Sequence, residues 1–159
     1  KTFPERCWPK LTTVCHTRTH LCAGAVVSRG PGNDSPFFPE AMRQAAGVID
    51  WDRVLGDMAY DAEAHHRLCR RELGIRLTVI PINTRGRPDP ARMRGRYRQQ
   101  MKRRFPCRIY RQRWQAESAF SQDKRVLGSA LRARRDASQN REGQLRVLAH
   151  NLMILRLPA

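Results

Sequence analysis

From Lys10 the chain reads KLTTVCHTRTHLCAGAVVSRG, apolar and β-branched residues on either side of a polar break near residues 17–19, closed by Gly30-Pro31-Gly32. That pattern predicts two antiparallel strands. Asn33, Asp34 and Ser35 then offer cap oxygens, prolines follow, and Phe38, Met42, Ala45, Ala46 and Ile49 recur at helical spacing. A short amphipathic helix is expected there. The brief apolar run Val54-Leu55-Gly56 ends at Asp57, a helical pattern runs from near Asp61 to Gly74, and RLTVIPIN follows as another strand. Pro81 places that strand at an edge or marks its end. Because a helix links the strands at Val54 and Thr78, they are expected to pair in parallel.

The second half reads differently. Residues 84–108 form a Pro/Gly-broken loop and a very basic short helix, expected at the surface. A long helix is predicted from Tyr110 to about Arg135, and a last one carries Leu145, Leu148, Leu152 and Leu155 at steps of three and four. Such a stripe predicts packing on the core. Strands first, a crossover in the middle and helices last give an α/β class. At 159 residues, one domain over 1–159 is expected.

Charge changes the picture. Lys and Arg number 31 against 14 Asp and Glu, a net +17, and residues 85–135 hold 17 of the basic residues against Asp89, Glu117 and Asp123. A surplus this large attracts polyanions, nucleic acid first. No run approaches the roughly 20 apolar residues a membrane helix needs, so a soluble, cytoplasmic protein is expected. Five scattered cysteines argue against a disulfide framework and for buried residues or thiols in a reducing compartment. The first residue is Lys1 rather than Met, which suggests a piece of a longer protein.

Within the predicted long helix one glutamate stands among cations. With Arg113 at zero on a helical wheel, Glu117 falls near ~40°, Lys124 near ~20° and Tyr110 near ~60°, a narrow stripe. Ala116, Ala119, Val126, Leu127 and Ala130 fall on the opposite side, which is expected to bury. Taken alone, Arg113 and Glu117 are an ordinary i, i+4 pair worth a few tenths of a kcal/mol. A metal site needs a second carboxylate, and Asp57, at the end of a short strand, is the candidate.

Tyr110, Arg113, Glu117 and Lys124 fit Y-x2-R-x3-E-x6-K, which resembles the signature of DDE transposases from bacterial insertion sequences. VLGDMAYD resembles the segment carrying that family's second acidic residue, which falls on Asp57, and the likeness continues through LGSALRAR and LRVLAHNLMILRL. The resemblance implies a ribonuclease H-like mixed sheet flanked by helices, with a helical C-terminal end. It implies that Asp57 and Glu117 are catalytic and hold Mg²⁺, with Mn²⁺ as an alternative, and that Tyr110, Arg113 and Lys124 contact DNA. The implied partner is double-stranded DNA, element end and target, on which a homodimer could assemble. The implied activity is metal-dependent cleavage and strand transfer. One departure opens an alternative. His16 stands where the family's first aspartate is expected, and no acidic residue lies between Glu5 and Asp34. The alternative is a catalytically inactive, DNA-binding remnant; Asp34 could substitute only if the fold brings it beside Asp57.

Other features carry less. Cys15, His16, His20 and Cys22 have no usual zinc-finger spacing. His65 and His66 read as solvated or capping residues. The basic runs MKRRF and RARR suit phosphate contact, and Trp114, among Tyr97 and Tyr110, is expected to pack against a neighbouring helix rather than stack on a base.

Overall fold

The computed structural model describes residues 8–85, 94–128 and 130–156. Strand β1 (Pro9–Cys15) pairs antiparallel with β2 (Cys22–Arg29), from Pro9 opposite Arg29 to Cys15 opposite Cys22, with a register shift between Val14 and Cys15. Along β2, Gly24, Val26 and Ser28 are buried in alternation, the period of a strand covered on that face. The cover is α1 (Phe38–Ala46), whose buried residues Phe38, Ala41, Met42 and Ala45 recur at three and four. Gly24 permits the close approach: a Cβ there would collide with the carbonyl oxygen of Ala41.

Strand β3 (Arg53–Leu55) pairs in parallel with β4 (Leu77–Val79), Val54 opposite Thr78. The link is α2 (Glu63–Arg67), which continues as a π-helical turn over Leu68–Glu72 and stops at Gly74, whose φ of +67° suits glycine. Phe38, Met42, Val54, Leu68, Cys69, Ile75 and Ile80 make one buried cluster, with Val14, Trp51, Tyr60 and Leu73 packed against it. The expected strands and their parallel partner are present. Among the described residues the strands form two two-stranded sheets, β1–β2 and β3–β4, and β1 and β3 both line one cleft.

The basic segment supplies α3 (Arg96–Arg103); the expected loop before it falls partly on residues 86–93, outside the described residues. Helix α3 is anchored by a buried ion pair in which Arg98 Nε and a terminal nitrogen donate to the two Asp61 oxygens, each at 2.8 Å. Asn83 N–H also donates to Asp61. Glu63 accepts from the backbone N–H groups of Tyr97 and Arg98, capping the helix start.

The predicted long helix is shorter and divided. It comprises α4 (Cys107–Tyr110), a 3-10 turn over Arg111–Arg113, and α5 (Trp114–Leu127). Gly128, at φ +82°, ends it well before Arg135. Beyond it the backbone is held by α6 (Asp136–Leu155): Arg146 donates to the carbonyls of Gly128 and Ala130, and Glu142 accepts from the N–H groups of Arg132 and Ala133. The far side of α5 is not buried as expected, since Val126 is 60% exposed. Trp114, expected to pack, is 56% exposed.

Helix α6 lies on the other face of β2, where a Cβ on Gly143 would sit 2.7 Å from Val27 Cγ2. Its inward residues are Gly143 and His150. The leucine stripe expected on the core therefore points away, and Leu145, Leu148, Leu152 and Leu155 are all more than half exposed. The histidines expected in solvent are inside: His65 stacks on Phe38 at 4.5 Å with Nδ1 2.8 Å from the Tyr60 carbonyl, and His66 is fully buried. The two adjacent rings point different ways: His65 packs on Phe38 of the cluster, and His66 lies against Tyr97 of α3, ring centroids 6.1 Å apart. No helix among the described residues is long and apolar enough to cross a membrane.

Candidate active site

The gap between the two sheets is a cleft of about 770 Å³. One wall is β1 and the turn that follows, including His16 and Arg18; the other is residues 49–57, ending on Asp57. Tyr60, Ile109, Gln112, Arg113 and Ala116 close one end.

Asp57 follows Gly56, whose N–H donates to Val79 O at 2.9 Å and so continues the parallel ladder one residue past β3. A Cβ on Gly56 would come within 3.0 Å of Ile80 Cγ1, which keeps the strand end close to the core. Asp57 is exposed, extended at ψ 161°, and its Oδ1 accepts from Met58 N–H at 2.6 Å, capping the 3-10 turn over Met58–Tyr60. That bond orients the carboxylate in the cleft lining.

Arg113 is the hub. It lines the cleft, donates to Glu117 Oε1 at 2.6 Å, and places its guanidinium carbon 5.8 Å from the Tyr110 ring centroid. Burial works against its charge, but Tyr110, Glu117 and Asp57 together outweigh that and raise its pKa. The Tyr110 phenol is pushed up first by burial, against the lowering pull of Arg113, and then by the negative fields of Asp57 and Glu117. Arg113 thus links Glu117 to the cleft that Asp57 lines. Tyr60 is half-buried; its phenol is raised by burial, lowered by a hydrogen bond to Thr12, and raised again by Asp34 and Asp57.

The structure separates the other expected residues. Glu117 is beside Arg113 but its side chain is 62% exposed. Lys124 is exposed on α5, two turns beyond Glu117. His16 shares the cleft with Asp57, its Nδ1 2.9 Å from Thr19 Oγ1 and its ring 6.1 Å from that of Trp51. Asp34 instead pairs with Lys10 at 2.6 Å. Among the described residues no three His, Cys, Asp or Glu side chains converge as a metal site. Two carboxylates are within the range of ligands Mg²⁺ uses alongside phosphate oxygens and water, and oxygen donors suit it; an imidazole such as His16 suits zinc better.

Sequence reasoning missed Asp61, Tyr60 and Gln112. The signal for Asp61 was present in DMAYD, where a second carboxylate follows Asp57 by four; its partner Arg98 lies 37 residues on, beyond any local pattern.

Residues 5–152 match the family model of the transposase DDE domain. No curated protein and no solved structure shows significant similarity to the chain.

Proposed function

Because the chain belongs to the transposase DDE domain family, we propose that it is a DNA transposase domain whose working centre is the Asp57 end of the cleft. Asp57 and Glu117 would hold Mg²⁺, and Tyr110, Arg113 and Lys124 would contact element-end DNA. The observation that carries this reading is that Asp57 and Arg113 line one cleft, and that Arg113 donates to Glu117 at 2.6 Å. A ribonuclease H-like core belongs to the same reading, consistent with the order of antiparallel pair, helix, parallel strand, crossover helix and parallel strand.

A divalent ion, when bound, supplies Lewis acidity and makes water or a 3′-hydroxyl a better nucleophile at phosphorus. The chain's own residues do the rest. Arg113 would exchange its bond with Glu117 for one to a non-bridging phosphate oxygen, offsetting charge on the attacked phosphate and leaving the Glu117 carboxylate free to hold the ion. Cleavage forms a bond from water oxygen to phosphorus and breaks the bond to the 3′-oxygen, which takes up a proton as a 3′-hydroxyl and leaves a 5′-phosphate; in strand transfer that 3′-oxygen loses its proton as it bonds to a target phosphorus, and the target strand's 3′-oxygen leaves as a hydroxyl. The cations of α3 and α5 hold the backbone in place.

The incubation of supercoiled plasmid with the chain and MgCl₂ or MnCl₂ tests this. Metal-dependent nicking, abolished by EDTA and reduced at least ~100-fold by either Asp57→Asn or Glu117→Gln, is expected. Nicking indifferent to both variants would sink the assignment. His16 in the cleft, where a carboxylate would complete the set, favours a second reading: a remnant that binds DNA without cutting it. Salt-dependent binding with no nicking, and nicking gained by His16→Asp, would establish that reading instead.

A further inference from the structure

We infer that Cys15 and Cys22 form an oxidation site, which a peroxide converts to a disulfide that clasps the turn of residues 16–21. The two residues are cross-strand partners in the β1–β2 pair, and their Sγ atoms lie 3.1 Å apart. Directly opposed residues in an antiparallel pair have Cα atoms about 4.5–5.5 Å apart, inside the range a disulfide spans. Bonding therefore needs only about 1 Å of sulfur movement.

The surroundings keep the pair in place. His16 N–H donates to Leu21 O and His20 N–H to His16 O, both at 2.8 Å, and His20 takes a φ of 61°. Gln115 on α5 is 2.8 Å from His20 Nε2. Cys22 exchanges two bonds with the Asn151 amide of α6, each at 2.8 Å. The turn is thus docked on two helices, and its start lines the cleft. Of the two other cysteines among the described residues, Cys69 competes poorly: it is fully buried, and burial pushes its thiol up to about 12, where little thiolate exists. Cys107 is exposed on α4.

The chemistry balances with hydrogen peroxide as oxidant. One sulfur takes an oxygen as the O–O bond breaks, giving a sulfenic acid and releasing water. The second sulfur attacks the sulfenic sulfur, forming S–S and expelling the hydroxyl as water. Both sulfurs are oxidised, the peroxide oxygens are reduced, and the two thiol hydrogens leave in water. The inference rests on the hairpin alone and stands whether or not the metal and DNA reading does.

Arg18 lies between the two cysteines, so trypsin separates residues 11–18 from 19–29. The unaltered chain is treated with hydrogen peroxide, its remaining thiols are alkylated, and it is digested without reductant. A linked peptide 11–18/19–29 is expected, lost on adding dithiothreitol. Oxidised chain should also melt about 5 °C higher than reduced chain, a gain absent from Cys22→Ser. Linkage to Cys107, oxidation stopping at one unlinked cysteine, or a linked pair without the melting shift would each overturn the clasp. The mapping uses the unaltered chain, so a variant that fails to fold does not blunt it.

Discussion

Residues 8–83 and 94–156 are held together by different forces. In the first region every member of the buried cluster lies between Phe38 and Ile80, and burial of apolar side chains does the work. In the second, Trp114, Val126, Leu145, Leu148, Leu152 and Leu155 are exposed; Met101 is buried and Gly143 packs on Val27, but much of the attachment is directional: Arg98 to Asp61, Glu63 to the start of α3, and Asn151 to Cys22. Non-directional burial gives the first region its stability, while polar contacts set where the second region's cations sit. Arg113, at the junction, belongs to the cleft of one and the helices of the other.

The largest effect should come from breaking that junction. Asp61→Ala leaves Arg98 buried without its carboxylate and should cost about 3–5 kcal/mol in urea unfolding. A loss below about 1 kcal/mol would mean that α3 is not held by this pair. Next comes the contrast itself. Met42→Ala in the buried cluster should cost about 3 kcal/mol, whereas Leu152→Ala, on an exposed face, should cost less than about 0.5 kcal/mol. Equal losses, read from denaturation midpoints, would show that the leucine stripe is covered in solution.

Acid should weaken the first region through His66. Burial, helped by the Arg70 charge and opposed by Glu63, lowers its pKa from 6.5 to about 4. A histidine held neutral in the folded state stabilises fully above its unfolded pKa, and that stability is lost as pH falls from 6.5 through 4. At about 1.4 kcal/mol for each pH unit, the loss approaches about 3 kcal/mol. Among the described residues its side-chain nitrogens have no hydrogen-bond partner, so His66→Leu should flatten this stretch of the pH–stability curve rather than shift it. An unchanged curve would assign the acid sensitivity to other groups.

The smallest effect per residue concerns DNA. Lys102 and Arg103 are exposed on α3, and each replaced by Ala should reduce the slope of log affinity against log salt by about 1. A slope that stays the same would take α3 out of the DNA surface.

Much of the local order was legible in the amino-acid sequence. Apolar and β-branched runs on either side of a polar break gave β1 and β2, the spacing of Phe38, Met42 and Ala45 gave α1, and a short apolar run ending in an acid gave β3 with Asp57 at its tip. The i, i+4 spacing of Arg113 and Glu117 already implied their ion pair. These features depend on neighbours a few residues away, where period and capping chemistry decide. The tertiary structure alone decided the rest. Periodicity shows that a helix has an apolar stripe but not which face meets the sheet, so α6 turns Gly143 and His150 inward and its leucines out. The same limit hid the burial of His65 and His66. The pairing of Asp61 with Arg98, the meeting of Cys15 and Cys22 across a register shift, and the division of the strands into two sheets around a cleft all depend on how distant segments pack, because a side chain's partner and solvent exposure are set by what lands beside it.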